Sequence, residues 1–158
     1  KKNPALKGKD IETTRLSCEK FKHQPTTIIN FVEGTRFTQA KHKAKRSPFA
    51  HLLPPKAGGI AFTLAAMGSQ FDAVLDVTLQ YPDNPGHVML DMLCGRLKRV
   101  VVQVQVLAVD EQIVGDYFND EQFRVRFQNW LNQRWLEKDQ RISQYQHAAP
   151  TTEQNALC

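Results

Sequence analysis

The sequence is poor in cysteine, in long apolar runs and, through its first third, in acid. Cys18, Cys94 and Cys158 lie far apart with no Cys-x-x-Cys pair, which argues against a zinc or dithiol redox motif and fits a reducing compartment. Apolar runs such as Val100–Val102 fall far short of the about 18 to 20 residues that cross a bilayer. Lys1 to Asp10 lacks the apolar core of a secretory signal, and the chain opens on Lys1, so it is expected to be a piece of something longer. Residues 1–56 hold 13 Lys and Arg against 4 Asp and Glu, whereas residues 57–158 hold 8 against 12. The first third is thus +9 and the remainder −4, so anionic partners are expected to meet the first third. At 158 residues, 41% hydrophobic and 23% charged, the composition argues against collagen, coiled coil and wholesale disorder and favours one globular domain.

Along the chain, Asp10 to Lys22 reads as a helix, with Asp10 as N-cap, Ile11, Cys18 and Phe21 near one face, and Pro25 beyond its end. Thr26 to Val32 is a β-branched and aromatic run of strand length, stopped by Gly34. Gln39 to Pro48 is basic and without hydrophobic period, and Pro54-Pro55 is extended, so this region reads as a loop. Gly58-Gly59 opens a short buried helix closed by Gly68, and Ala73 to Tyr81 reads as a strand. After the turn at Pro82 to Gly86, Val88 to Leu93 is expected as a strand with Cys94 in the core. Arg99 to Val109 alternates Val and Gln and predicts a strand with one face more exposed. The longest helix is expected over Asp120 to Tyr145, capped by Asn119 or Asp120, and a disordered tail over residues 148–158. The fold class is α/β, a mixed, largely buried sheet flanked by helices, in one unit over residues 1–147.

The segment richest in chemistry is Phe31-Val32-Glu33-Gly34-Thr35-Arg36, an acid, a glycine, a hydroxyl and a guanidinium at the end of the first expected strand. Ligands of α/β proteins gather at such strand ends. Gly34 permits close backbone approach, Arg36 offers a fork of donors suited to phosphate, and Glu33 could accept from substrate hydroxyls or hold Arg36. As a bare pattern it reads equally well as a surface turn with an ion pair.

Together with the residues after it, the segment resembles the glycerolipid acyltransferase family, whose lysophosphatidic acid acyltransferases carry Phe-Pro-Glu-Gly-Thr-Arg/Ser. Val32 stands here in place of the proline. Leu52-Leu53-Pro54-Pro55-Lys56-Ala57-Gly58-Gly59 is similar to the family's Leu-Pro-Phe-Lys-x-Gly segment, and Ala73 to Tyr81 occupies the place of its hydrophobic block without the prolines. The match covers Thr26 to Tyr81, and the later stretch looks most like a bacterial inner-membrane branch. The resemblance implies transfer of a fatty acyl group from an acyl thioester, on coenzyme A or acyl carrier protein, to a hydroxyl of a lysophospholipid or glycerol phosphate. It implies no further cofactor and no metal. By carry-over Glu33, Gly34, Thr35 and Arg36 surround the acceptor, Arg36 toward its phosphate; Lys56 is either a second cation or a surface lysine.

The family's base is the His of an Asn-His-x4-Asp motif, whose Asp orients the ring. The residues five after His23, His42, His51, His87 and His147 are Ile28, Ser47, Lys56, Met92 and Thr152, so the pattern does not occur in this sequence. The chain is therefore expected to be a C-terminal part that binds acceptor, carries no catalytic residue and is inactive alone. The implied location is the cytoplasmic face of the inner membrane, with Lys41-His42-Lys43-Ala44-Lys45-Arg46 against an acidic membrane surface or simply solvated. The rival from another class is a basic binding module; no aromatic interleaves the run, so no nucleic-acid partner is expected. Phe123, Phe127, Trp130 and Trp135 are read as core in preference to membrane interface, and His51 as structural.

Overall fold

The computed structural model describes residues 25–84 and 86–148, so the helix expected over Asp10 to Lys22 lies outside the described residues, as does the tail beyond Ala148. The elements are α1 (Gln39–Ala44), α2 (Ala57–Met67), β1 (Val74–Gln80), α3 (Val88–Leu93), β2 (Val101–Leu107) and α4 (Glu121–Ala148), with a 3-10 turn, Gly68–Gln70, after α2. It is a mixed α/β arrangement: β1 and β2 form a two-stranded antiparallel sheet, and α4 lies along one face of it.

α4 starts where the pattern predicts, with Asp120 Oδ1 accepting from the Phe123 N–H at 3.0 Å. Phe123, Phe127, Leu131 and Trp135 recur at helical spacing and are buried against Phe49, Ala61, Leu64, Ile113 and Tyr117. Burying each large side chain contributes roughly 1.5–3 kcal/mol, so this cluster is the main source of cohesion. It also decides the aromatics in favour of core, with Trp130 packed at the margin.

The sheet departs from expectation in which face is covered. Leu75, Val77 and Leu79 stand directly across from Val106, Val104 and Val102, and all six are exposed. The opposite face carries Asp76, Thr78, Gln80, Gln103 and Gln105, and it is this polar face that meets α4. The Asp76 carboxylate pairs there with the Lys138 ammonium and, at 3.3 Å, with Arg141, while Lys138 also donates to the Val77 carbonyl at 3.1 Å. Where a largely buried sheet is expected, half of it is open.

Three further expectations are corrected. Thr26 to Val32 is in neither strand of the sheet: Val32 already belongs to the following turn, Ile29 is 75% and Phe31 83% exposed, and a β-rich composition does not by itself make a strand. Within the expected loop Gln39 to Pro48, residues Gln39–Ala44 form α1, because Thr38 Oγ1 caps the Lys41 N–H at 3.2 Å and basic residues suit the helix's end. Val88 to Leu93 is helix α3, not a strand. Its Met and Leu favour that state, Asp91 puts a negative charge in its first turn, Gly95 at φ +68° ends it, and Asn84 ties it down by donating to Asp91 Oδ2 at 3.0 Å and the Arg96 carbonyl at 3.1 Å. Cys94 is consequently the exposed C-cap of α3 and not a core residue.

Three apolar cross-strand pairs facing outward form a patch of the kind that monomeric proteins rarely leave uncovered. Sedimentation velocity of this chain is expected to show concentration-dependent association, and Val104→Lys with Val77→Glu to shift it to monomer. A wild-type chain that stays monomeric would contradict this.

Candidate functional site

The Glu33–Arg36 segment is a turn. The Gly34 N–H donates to the Phe31 carbonyl at 2.8 Å, and Gly34 sits at φ +65°, a conformation that favours glycine. The turn is held from the side by the Pro54-Pro55-Lys56 stretch, whose Lys56 N–H donates to the Val32 carbonyl at 2.8 Å. A side chain at position 34 would begin 3.1 Å from Lys56 Nζ and 3.2 Å from its Cδ, so the ammonium lies on the bare backbone that glycine leaves. Lys56 is thereby joined to the turn.

That supporting stretch is in turn fixed by α4. Asp139 accepts the Ala50 N–H on Oδ2 at 2.8 Å and the His51 N–H on Oδ1 at 2.7 Å, and the Trp135 indole N–H donates to the Leu53 carbonyl at 3.1 Å. Leu53 is fully buried. His51 Nε2 lies 3.0 Å from Ser143 Oγ, whose proton goes to the Asp139 carbonyl, so His51 contributes to docking as its structural reading holds. His42 Nε2 donates to the Phe49 carbonyl at 2.6 Å.

The members of the motif separate by direction. Glu33 is half-buried, and the groups acting on its carboxylate are the Leu53 main chain, Lys45, Lys138 and Trp135; Arg36 is not among them. Burial pushes the Glu33 carboxyl above its ordinary value, outweighing the hydrogen bond from the Leu53 main chain, the two ammoniums and the indole, which lean the other way. Thr35 Oγ1 accepts from Lys41 Nζ at 2.7 Å, and the same ammonium reaches the Arg36 carbonyl at 3.2 Å. The Arg36 side chain is exposed, and among the described residues no carboxylate pairs with Arg36, Lys41 or Lys56.

Sequence reasoning names Glu33, Gly34, Thr35, Arg36 and Lys56, and the structure brings these together at one corner. It misses Lys41, which the sequence presents only as part of a basic run, and it misses Trp135 and Lys138 as the surroundings of Glu33. Lys41 carries one usable signal, its place near the start of a helix capped from Thr38, which returns its side chain toward residues 35 and 36. Such an arrangement, a glycine turn with three cations lacking carboxylate partners among the described residues, can hold an anionic oxygen ester.

Because the Glu33 carboxyl is raised, its ionisation weakens the folded state as pH climbs from the ordinary glutamate value through the folded one. Glu33→Gln is expected to remove that loss: relative to wild type, its melting temperature rises progressively as pH climbs above the ordinary glutamate value. Melting curves across this range check it; a difference independent of pH would contradict it.

No family model matches the chain, and no solved structure matches it significantly. Curated proteins do. The chain is 27% identical over 135 residues to lysocardiolipin acyltransferase 1 of Gallus gallus, covering 78% of this chain and 33% of that protein. It is 30% identical over 140 residues to 1-acyl-sn-glycerol-3-phosphate acyltransferase delta of Mus musculus, with 82% and 35% covered. It is 25% identical over 154 residues to 2-acyl-1-lysophosphatidylinositol acyltransferase of Saccharomyces cerevisiae, with 87% and 37% covered. The chain spans about a third of the length of these relatives. All three relatives are named as acyltransferases, two of them by a lyso-lipid and one by an acylglycerol phosphate, and these similarities support the resemblance of the chain to the glycerolipid acyltransferase family.

Proposed function

We propose that this chain supplies the acceptor-binding part of an acyltransferase that moves a fatty acyl group from an acyl thioester to a hydroxyl of a lysophospholipid or glycerol phosphate. The observation that carries the reading is the turn itself: Gly34 backbone under the Lys56 ammonium, with Arg36 exposed beside it and no carboxylate partner for either among the described residues. In this reaction the acceptor oxygen attacks the thioester carbonyl carbon, the carbon–sulfur bond breaks, the thiol departs, and the hydroxyl proton passes to a base. Arg36 and Lys56 fix the acceptor by its phosphate, which places the hydroxyl at a set distance from the corner. Thr35 adds a hydroxyl next to the same phosphate.

No base is assigned to this chain. Of the histidines on the loop and helix next to the turn, His42 commits Nε2 to a carbonyl and His51 commits Nε2 to Ser143. Membrane association belongs to the same proposal. Lys43, Lys45 and Arg46 are exposed around α1 and suit the head groups of an acidic leaflet, at about 1 kcal/mol per charge close to the surface. The cytoplasmic face of a bacterial inner membrane is the location this reading favours. Among the described residues no helix is long and apolar enough to cross a membrane.

Two outcomes are expected. In the enzyme of which this chain forms part, Arg36→Ala should lower kcat/KM for a phosphate-bearing acceptor roughly 10- to 100-fold, as loss of a charge-assisted contact of about 1.5–3 kcal/mol implies. An unchanged kcat/KM removes Arg36 from the site. The 158-residue chain alone, given acyl-CoA and lysophosphatidate, should release no coenzyme A thiol above background. Robust turnover would show that a base has been overlooked.

A further inference from the structure

We infer that Lys41 is a positioning residue of the acceptor site, turning the Thr35–Arg36 backbone into a surface that offers donors only; the inference rests on the acceptor-binding reading above. Lys41 Nζ is 2.7 Å from Thr35 Oγ1 and 3.2 Å from the Arg36 carbonyl oxygen. An ammonium has three donors and no acceptor, so Thr35 Oγ1 must be the acceptor in that contact. The Thr35 hydroxyl proton is therefore left to point elsewhere, available to an anionic oxygen. Covering the Arg36 carbonyl has a parallel effect, since an uncovered carbonyl oxygen beside a phosphate would repel it. One side chain thus frees a donor and masks an acceptor at adjacent residues.

Lys41 is distinguished from its basic neighbours by this geometry and by its place in α1. It is the third residue after the Thr38 cap, on the short helix whose start adjoins the turn. Helix charge does not single out Lys41 from Lys43, whereas the two contacts to the turn do. Lys43 has the same charge on the same helix, and no side-chain contact joins it to Thr35 or Arg36 among the described residues. It serves as the control for charge alone.

The test is calorimetric titration of the whole chain with glycerol 3-phosphate. Lys41→Met, which keeps length without a donor, is expected to weaken binding about tenfold or more, and Lys41→Gln by less. Lys41→Arg should stay within about threefold of wild type, and Lys43→Met within about twofold, at matched ionic strength. Thr35→Val combined with Lys41→Met should lose less than the product of the two single losses, because both remove the same donor arrangement. Equal losses for Lys41→Met and Lys43→Met, or a fully multiplicative double variant, would overturn the role of Lys41 and leave the acceptor site standing. Absence of any saturable binding by the wild-type chain would overturn the acceptor-site reading, and the inference with it.

Discussion

Everything at the functional corner hangs on the grip that α4 takes on the loop from Phe49 to Leu53. Asp139 accepts two consecutive main-chain N–H groups and Trp135 donates to a third main-chain group, so the loop's path is set by one face of one helix. Each hydrogen bond to the charged Asp139 carboxylate is worth about 1.5–3 kcal/mol, which disfavours alternative loop paths. From Leu53 the two prolines carry the chain stiffly to Lys56, whose N–H and ammonium both meet the turn at Val32 and Gly34. The core helix and the exposed turn are therefore mechanically one object.

The ionic layer between α4 and the sheet does a different job from the apolar layer beside it. Asp76 lies between Lys138 and Arg141, and Lys138 also rests 5.0 Å from the Trp135 ring centroid. Removing such charges from water offsets most of their attraction, so the cluster adds little net stability beside the buried Phe123, Phe127, Leu131 and Trp135. What it does supply is selectivity of face. With Asp76, Thr78 and Gln80 directed at α4, the alternation of the strands sends Leu75, Val77 and Leu79 outward, and a slip by one residue would set Asp76 outside and leave Lys138 unpaired.

How much of this can be read from the residues depends on whether the deciding partner is local. β1, β2, α2 and α4 are legible because their patterns or ends are in the sequence: Gly68 closes α2, whose first turn holds Gly58-Gly59, and Asp120 starts α4. Thr26 to Val32 has the composition of a strand, yet strand formation is decided by a neighbour, and none is supplied by β1 or β2. Val88 to Leu93 misleads for the opposite reason, since a short apolar run does not distinguish helix from strand until Asn84 and Gly95 fix its ends. At the corner the motif's membership is legible and its directions are not. Nothing in Glu-Gly-Thr-Arg says that the acid turns inward toward Trp135 and Lys138 while the arginine stays out.

That division of directions has an electrostatic consequence. A glutamate pointing outward beside Arg36 would form the ordinary exposed ion pair, worth about 0–1 kcal/mol, and would cancel the charge that an anionic ligand needs. With Glu33 turned toward the core, the groups that act on its carboxylate are the Leu53 main chain, Lys45, Lys138 and the Trp135 indole, and not Arg36. Burial makes that position unfavourable for an ionised carboxylate, so its contribution is felt at the ligand side: Arg36, Lys41 and Lys56 are left with no acid among the described residues to compete with a phosphate. On the acceptor-binding proposal, the acid of the motif serves by standing away from the cations, and the helix that positions the loop also supplies Trp135 and Lys138 around it.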